Sequence, residues 1–132
     1  MKAIDTNLLI RLITLDDKKQ ADKVFELMKK AELKKEILFI PSIVVLEMIW
    51  VLGYSYDVCR KDIIRAVKNI MLLPILKFEH YNAVHKFILS AEMNNLDLAD
   101  ILIGFISKEC GCETVLTFDN KAAKSDLFEL VK

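Results

Sequence analysis

Five acidic residues stand where a carboxylate is either costly or well placed for chemistry. Asp5 follows the short apolar run that ends at Ile4, and Asp119 follows Val115-Leu116-Thr117. Glu47 lies inside a nearly all-apolar stretch from Phe39 to Leu52. Asp97 precedes Asp100 by three residues, and Asp100 is embedded in Leu98-Ala99-Asp100-Ile101-Leu102-Ile103. An unpaired carboxylate is unfavourable in apolar surroundings unless a cation, a salt bridge or a hydrogen-bond network meets it. Several carboxylates gathered at one place repel one another, and a divalent cation relieves that repulsion. With oxygen donors alone, the preferred ions are Mg²⁺ or Mn²⁺. Each acid also has a plainer reading. Asp5 and Asp97 suit helix N-caps, and Asp119 suits a turn. Glu47 and Asp100 have no turn or helix end to account for them, so they carry most of the metal reading.

The elements that would position these acids follow from hydrophobic spacing. Lys2 to Ile4, Ile37 to Ile40, Ile75 to Phe78, Thr114 to Thr117 and Phe128 to Val131 read as strands. Thr6 to Ile13 reads as a helix that Thr6 could cap. A second helix starts at Asp16-Asp17, with Ala21, Val24, Phe25 and Met28 as its apolar stripe. Pro41-Ser42 starts a third, from Ile43 to Gly53, apolar on almost every side and therefore expected to be largely buried. Asp57 to Leu73, Glu79 to Met93 and Leu98 to Lys108 complete the set, the last closed by Gly111. Strands alternating with helices predict an α/β fold. It has a mostly parallel central sheet of about four to five strands, flanked by helices on both faces. In such a sheet Asp5 and Asp119, both after strands, share the edge at which α/β proteins bind ligands.

Bulk composition bounds the rest. A chain of 132 residues, 54% hydrophobic, with three Gly and two Pro, fits a single domain over residues 1–132 with no linker. The 19 basic residues balance 19 acidic ones, so charge neither demands nor excludes a nucleic-acid partner. Asp5 and Arg11 interrupt any signal-peptide pattern, and the most apolar stretch is too short for a membrane span. The expectation is a soluble, cytoplasmic protein without membrane contact. Cys59, Cys110 and Cys112 suggest no disulfide framework, and ordinary small buried side chains are a better reading than a zinc site. His80 and His85 lie on one helix, away from the acids in sequence, and are read as solvated or structural rather than as a general base.

Four blocks, in order, carry a resemblance. Asp5-Thr6-Asn7-Leu8-Leu9-Ile10 is the first, and Pro41-Ser42-Ile43-Val44-Val45-Leu46-Glu47 the second. Leu96-Asp97-Leu98-Ala99-Asp100-Ile101-Leu102-Ile103 is the third, and Gly111 with Val115-Leu116-Thr117-Phe118-Asp119 the fourth. Together they resemble the signature blocks of the PIN domain. Their order and spacing are similar to the VapC branch, the toxin half of bacterial and archaeal toxin–antitoxin pairs. The resemblance covers essentially the whole chain. It implies an endoribonuclease dependent on Mg²⁺ or Mn²⁺, with Asp5, Glu47, Asp100 and Asp119 as its catalytic acids. Asp97 matches a frequent additional acid, while Asn7 and Thr117 match supporting polar positions. Asp5 and Asp100 are expected to hold the principal ion, with Glu47, Asp97 and Asp119 completing the shell around one or two ions.

The resemblance also implies an RNA substrate, with tRNA as the family default, and a cognate antitoxin that closes the acidic site. Arg11, Lys121 and Lys124 are candidate phosphate contacts, against the plainer reading of solvated surface charge. Met48, Trp50, Val51, Leu52, Tyr54 and Tyr56 supply enough bulk for a homodimer surface, although core packing explains them equally well. Two other classes stay open. One is a different Mg²⁺-dependent phosphoryl hydrolase on an α/β sheet, although Asn7 stands where a haloacid-dehalogenase-type phosphatase needs a second Asp. The other is a non-catalytic interaction module on a PIN-like scaffold.

Overall fold

A computed structural model describes all residues from 1 to 132. The chain forms two compact units, residues 1–79 and residues 80–132.

In the first unit the elements are β1 (Lys2–Ala3), α1 (Thr6–Thr14), α2 (Lys18–Lys34), β2 (Leu38–Ile40), α3 (Ser42–Tyr54), α4 (Arg60–Met71) and β3 (Leu76–Phe78). The strands form a parallel sheet in the order β1-β2-β3. Lys2 pairs with Leu38, and Ile40 with Phe78. Two further bonds carry the ladder past the strand ends, Ile4 N–H to Phe39 O and Glu79 N–H to Ile40 O, each 2.9 Å. Asp5, Pro41 and Glu79 therefore leave the sheet on one edge, because parallel strands share a direction.

Local signals explain the helices. Asp5 caps α1, accepting the Leu8 N–H on its side chain, and Asp17 caps α2 in the same way through Gln20. Thr6, expected as the cap, is instead the first helical residue and is buried. Helix α3 starts after Pro41 and contributes Val44, Val45, Met48, Ile49 and Leu52 to the core. Each such side chain, fully withdrawn from water, contributes about 1.5–3 kcal/mol. The expectation that α3 is largely buried holds for one side only. Ile43, Trp50 and Tyr54 are 74%, 57% and 72% exposed, and Glu47 is exposed beside them. Each of these four lies about one turn from the next, which puts them on a single outward stripe. On α2, Ala21 and Val24 are buried as expected, whereas Phe25 faces solvent.

The second unit holds α5 (Tyr81–Ala91), α6 (Leu98–Glu109), β4 (Val115–Thr117), a 3₁₀ turn (Ala122–Lys124) and β5 (Phe128–Leu130). Its two strands are parallel, Val115 pairing with Phe128 and Thr117 with Leu130. All five strands of the chain thus run in parallel pairs, hydrogen-bonded as a three-stranded and a two-stranded sheet. Phe87, Val84, Ile101 and Leu102 are fully buried where α5 packs on α6. Helix α6 ends in a Schellman motif: Cys112 N–H bonds to Ser107 O and Gly111 N–H to Lys108 O, both at 3.0 Å. Gly111, at φ 94°, supplies the left-handed residue this motif needs.

All three cysteines are free and exposed, which corrects the expectation that they fill core space. Cys110 and Cys112 flank the Gly111 turn at a helix end, and such turns lie on the surface. No helix is long and apolar enough to cross a membrane.

Candidate carboxylate site

In the second unit, Asp97, Asp100 and Asp119 line one cavity with Lys121, Ser125 and Leu127. Asp97 is the N-cap of α6, its Oδ1 accepting the Asp100 N–H at 3.0 Å. Asp100 is the third residue of the helix and lies in its first turn. The helix start at Leu98 and the Asp97 cap, both read from the sequence, thus give Asp100 the helix-end location it was expected to lack, and an acid there meets the positive end of the helix dipole. Its carboxyl is nonetheless pushed above the usual carboxylate range. Burial is the main cause, followed by the like charges of Asp97 and Asp119. The three acids thus lie close enough for the charges of Asp97 and Asp119 to act on Asp100.

The Asp119 loop is built by its own polar groups. Thr117 Oγ1 accepts the Asp119 N–H at 3.0 Å. Asp119 Oδ1 in turn accepts the N–H groups of Lys121 at 2.8 Å and Ala122 at 3.3 Å, starting the 3₁₀ turn. Asp97 and Asp119 each use one carboxylate oxygen to hold the backbone and leave the other oxygen without a protein donor. The capping roles expected as the plain reading are thus present, and they occupy only one oxygen of each carboxylate. Lys121 lines the cavity and Lys124 ends the 3₁₀ turn, both exposed.

In the first unit, Asp5 also splits its oxygens. Oδ1 accepts the Leu8 N–H at 3.2 Å. Asp5 and Asn7, both exposed, line a groove with Leu8, Arg11, Gln20 and Lys23. Glu47 is exposed on α3, so it does not bear the burial cost that singled it out in the sequence. Arg11 is held by three groups: Nε donates to Gln20 Oε1 at 2.6 Å, and Nη1 to Asp16 Oδ1 at 3.2 Å and to the Tyr56 hydroxyl at 3.1 Å.

Glu79 escapes notice in the sequence. Its Oε1 accepts the Ser42 N–H at 2.9 Å, and its carbonyl accepts the Ser42 hydroxyl at 3.2 Å. It thereby starts α3, the helix that carries Glu47. The available signal is an acid directly after a strand, the same signal that marks Asp5. Gly104, one turn after Asp100, is equally silent in the sequence. A Cβ there would come within 2.8 Å of Leu127 Cδ1 and 2.9 Å of Leu127 Cβ, so glycine permits α6 to approach Leu127 closely. The histidines stay outside the acidic cavity, as read from the sequence. His80 Nδ1 lies 2.7 Å from Glu109 Oε2, and His85 stacks on Tyr81. Of the expected self-association residues, Met48 and Leu52 belong to the core, while Trp50 and Tyr54 remain exposed with ring centroids 4.4 Å apart.

The acidic cavity offers oxygen donors without His or Cys, which suits a hard divalent cation. No group of three such side chains is arranged to cage an ion alone.

The chain resembles known proteins over most of its length. The model of the PIN domain family matches residues 2–126. A VapC ribonuclease of Aquifex aeolicus (strain VF5) is 23% identical over 124 residues, spanning 94% of this chain and 91% of that protein.

Proposed function

The chain belongs to the PIN domain family, and on that premise we propose that it is a VapC-like endoribonuclease. It would hydrolyse RNA phosphodiesters with the help of Mg²⁺ or Mn²⁺. The observation that carries this reading is the Asp97–Asp100–Asp119 cavity, where mutual repulsion and burial favour either a proton or a cation at Asp100. Asp5, Glu47, Asp100 and Asp119 are the catalytic acids in this reading, within one domain over residues 1–132. Asp5 and Asp100 hold the principal ion, and Glu47, Asp97 and Asp119 complete its surroundings.

One or two divalent ions supply neutralisation of charge on the phosphate and activation of the attacking water. The chain's own contribution is positional. The caps made by Asp5 and Asp97 fix backbone at two helix starts, and the Thr117–Asp119 turn fixes a third carboxylate. Asn7 and Thr117 act as supporting polar groups, and Lys121 and Lys124 as phosphate contacts at the rim. The name of the Aquifex relative supports an RNA substrate, while tRNA as the target and a cognate antitoxin as the inhibitory partner are what the family resemblance implies. The exposed α3 stripe supports a homodimer.

The test is cleavage of RNA by purified protein with Mg²⁺ or Mn²⁺, against a chelated control. Asp5→Asn and Asp100→Asn keep side-chain shape, and the amide oxygen introduced by Asp5→Asn can still cap α1. Each variant is expected to lose activity by about 100-fold or more, since even groups that only support a metal ligand are worth about 10–100-fold. Undiminished cleavage by either folded variant overturns the assignment.

A further inference from the structure

The groove beside Asp5 has a construction that its position alone does not require. Arg11 forms part of its wall, together with Asn7, Gln20 and Lys23, over an apolar floor that includes Val24 and Leu27. Arg11 is fixed on its Nε and Nη1 side by Gln20, Asp16 and Tyr56. Tyr56 is also bound, its hydroxyl donating to Asp16 Oδ2 at 2.9 Å, and Thr14 Oγ1 donates to Asp16 Oδ1 at 2.8 Å. The network ties α1 and the loop before α2 to the segment that follows α3. It leaves the Nη2 amine of Arg11 with two N–H donors and no protein acceptor.

We propose that this groove is an RNA subsite, binding a backbone phosphate next to the one attacked, with Arg11 and Lys23 as its cations and Tyr56 as the residue that positions Arg11. The proposal rests on the ribonuclease reading and extends it to substrate binding. Three features favour a nucleic-acid strand. Two cations and the Asn7 amide are donors matched to phosphate oxygens. The apolar floor suits the face of a ribose or base. Lastly, a guanidinium already held in place loses little side-chain freedom on binding, so its contact adds to affinity with a smaller ordering cost. Asp16 offsets part of the Arg11 charge, which makes the free N–H donors, rather than net charge, the main contribution of Arg11.

The experiment measures binding of a short fluorescein-labelled single-stranded RNA to the full chain carrying Asp100→Asn, over a range of salt concentrations. Adding Lys23→Gln is expected to weaken binding several-fold and to reduce the slope of log affinity against log salt by about 0.7, the value for one phosphate contact on a single strand. In the otherwise unmodified chain, Tyr56→Phe is expected to raise KM for RNA several-fold with kcat nearly unchanged. A purely structural role for Tyr56 would lower thermal stability without that split. Unchanged affinity and slope in Lys23→Gln, or an unchanged KM in Tyr56→Phe, overturns the subsite. So does a result in which these variants bind RNA normally but lose a protein partner. RNA binding without any cleavage by the unmodified chain overturns the ribonuclease reading and leaves the groove standing. Cleavage with unaltered binding in the variants does the reverse.

Discussion

The Asp97 side chain accepts the backbone N–H of Asp100 at 3.0 Å, so the residue that starts α6 also sets a like charge one turn from Asp100. One contact serves structure and opposes it. The cap satisfies an N–H that the helix leaves unpaired, typically worth about 1 kcal/mol. The charge helps push the Asp100 carboxyl upward, after burial and together with Asp119.

A stability prediction follows from that upward shift. A carboxyl whose folded-state pKa is raised holds its proton more tightly when folded. Its favourable contribution is present below the unfolded pKa and is lost as pH rises through the folded pKa. Once ionised, Asp100 therefore opposes folding. Asp100→Asn should melt a few degrees higher than the unmodified chain when divalent ions are chelated. Adding Mg²⁺ or Mn²⁺ should raise the Tm of the unmodified chain and leave that of the variant nearly unchanged. A variant that melts lower in chelator would show that Asp100 is not under electrostatic strain.

The two functions assigned to Asp5 can be separated by the choice of substitution. Asparagine retains an oxygen for the Leu8 N–H, whereas alanine does not. Asp5→Ala should cost about 1 kcal/mol in urea denaturation, and Asp5→Asn a few tenths at most. Both should lose cleavage to a similar degree, because neither offers a carboxylate. Equal stability of the two variants would mean that the cap contributes nothing.

These pairs of roles explain what the sequence could and could not display. Strand runs such as Leu38–Ile40 and caps such as Asp17 are local, so their periodicity and residue types are readable directly. The parallel pairing and the six helices follow from the alternation of those runs. Burial is harder. Glu47 looks awkward because its neighbours are apolar, yet the outward stripe of α3 also carries Ile43, Trp50 and Tyr54, and an acid is at ease there. Asp100 reads as lacking a helix end because its neighbours are apolar, although the helix start at Leu98 and a capping role for Asp97 are both legible and together place it in the first turn. The Arg11–Asp16–Tyr56 network is invisible there because Tyr56 lies 45 residues beyond Arg11. The close approach at Gly104 depends on Leu127, which no local pattern links to it.

That approach makes Gly104 a sharp probe of packing. Alanine is the better helix former by about 1 kcal/mol, so an exposed Gly→Ala change would stabilise α6. Here the added methyl meets Leu127 at its Cβ as well as its Cδ1, and a Cβ cannot swing aside without moving backbone. Overpacking of this kind costs about 1–3 kcal/mol, which outweighs the propensity gain. Gly104→Ala should therefore lower stability in thermal or urea unfolding. Since Leu127 also lines the cavity of Asp100 and Asp119, divalent-ion affinity should fall with it. A variant more stable than the parent would mean that α6 can shift freely.

The exposed stripe of α3 makes the proposed homodimer testable. Trp50 and Tyr54, with ring centroids 4.4 Å apart, form an aromatic pair facing solvent, and aromatic residues are enriched where proteins associate. Two copies related by a twofold axis would bury the same patch on each other, with Trp50 and Tyr54 near the centre. Glu47, between Ile43 and Trp50 on the same stripe, would then lie beside the aromatic pair. Because Trp50 is more than half exposed at 57%, Trp50→Glu should leave the fold and its circular dichroism intact. In sedimentation velocity the unmodified chain is expected to run as a dimer at micromolar concentration and the variant as a monomer. A monomeric parent, or a variant that stays dimeric, would remove α3 as the interface.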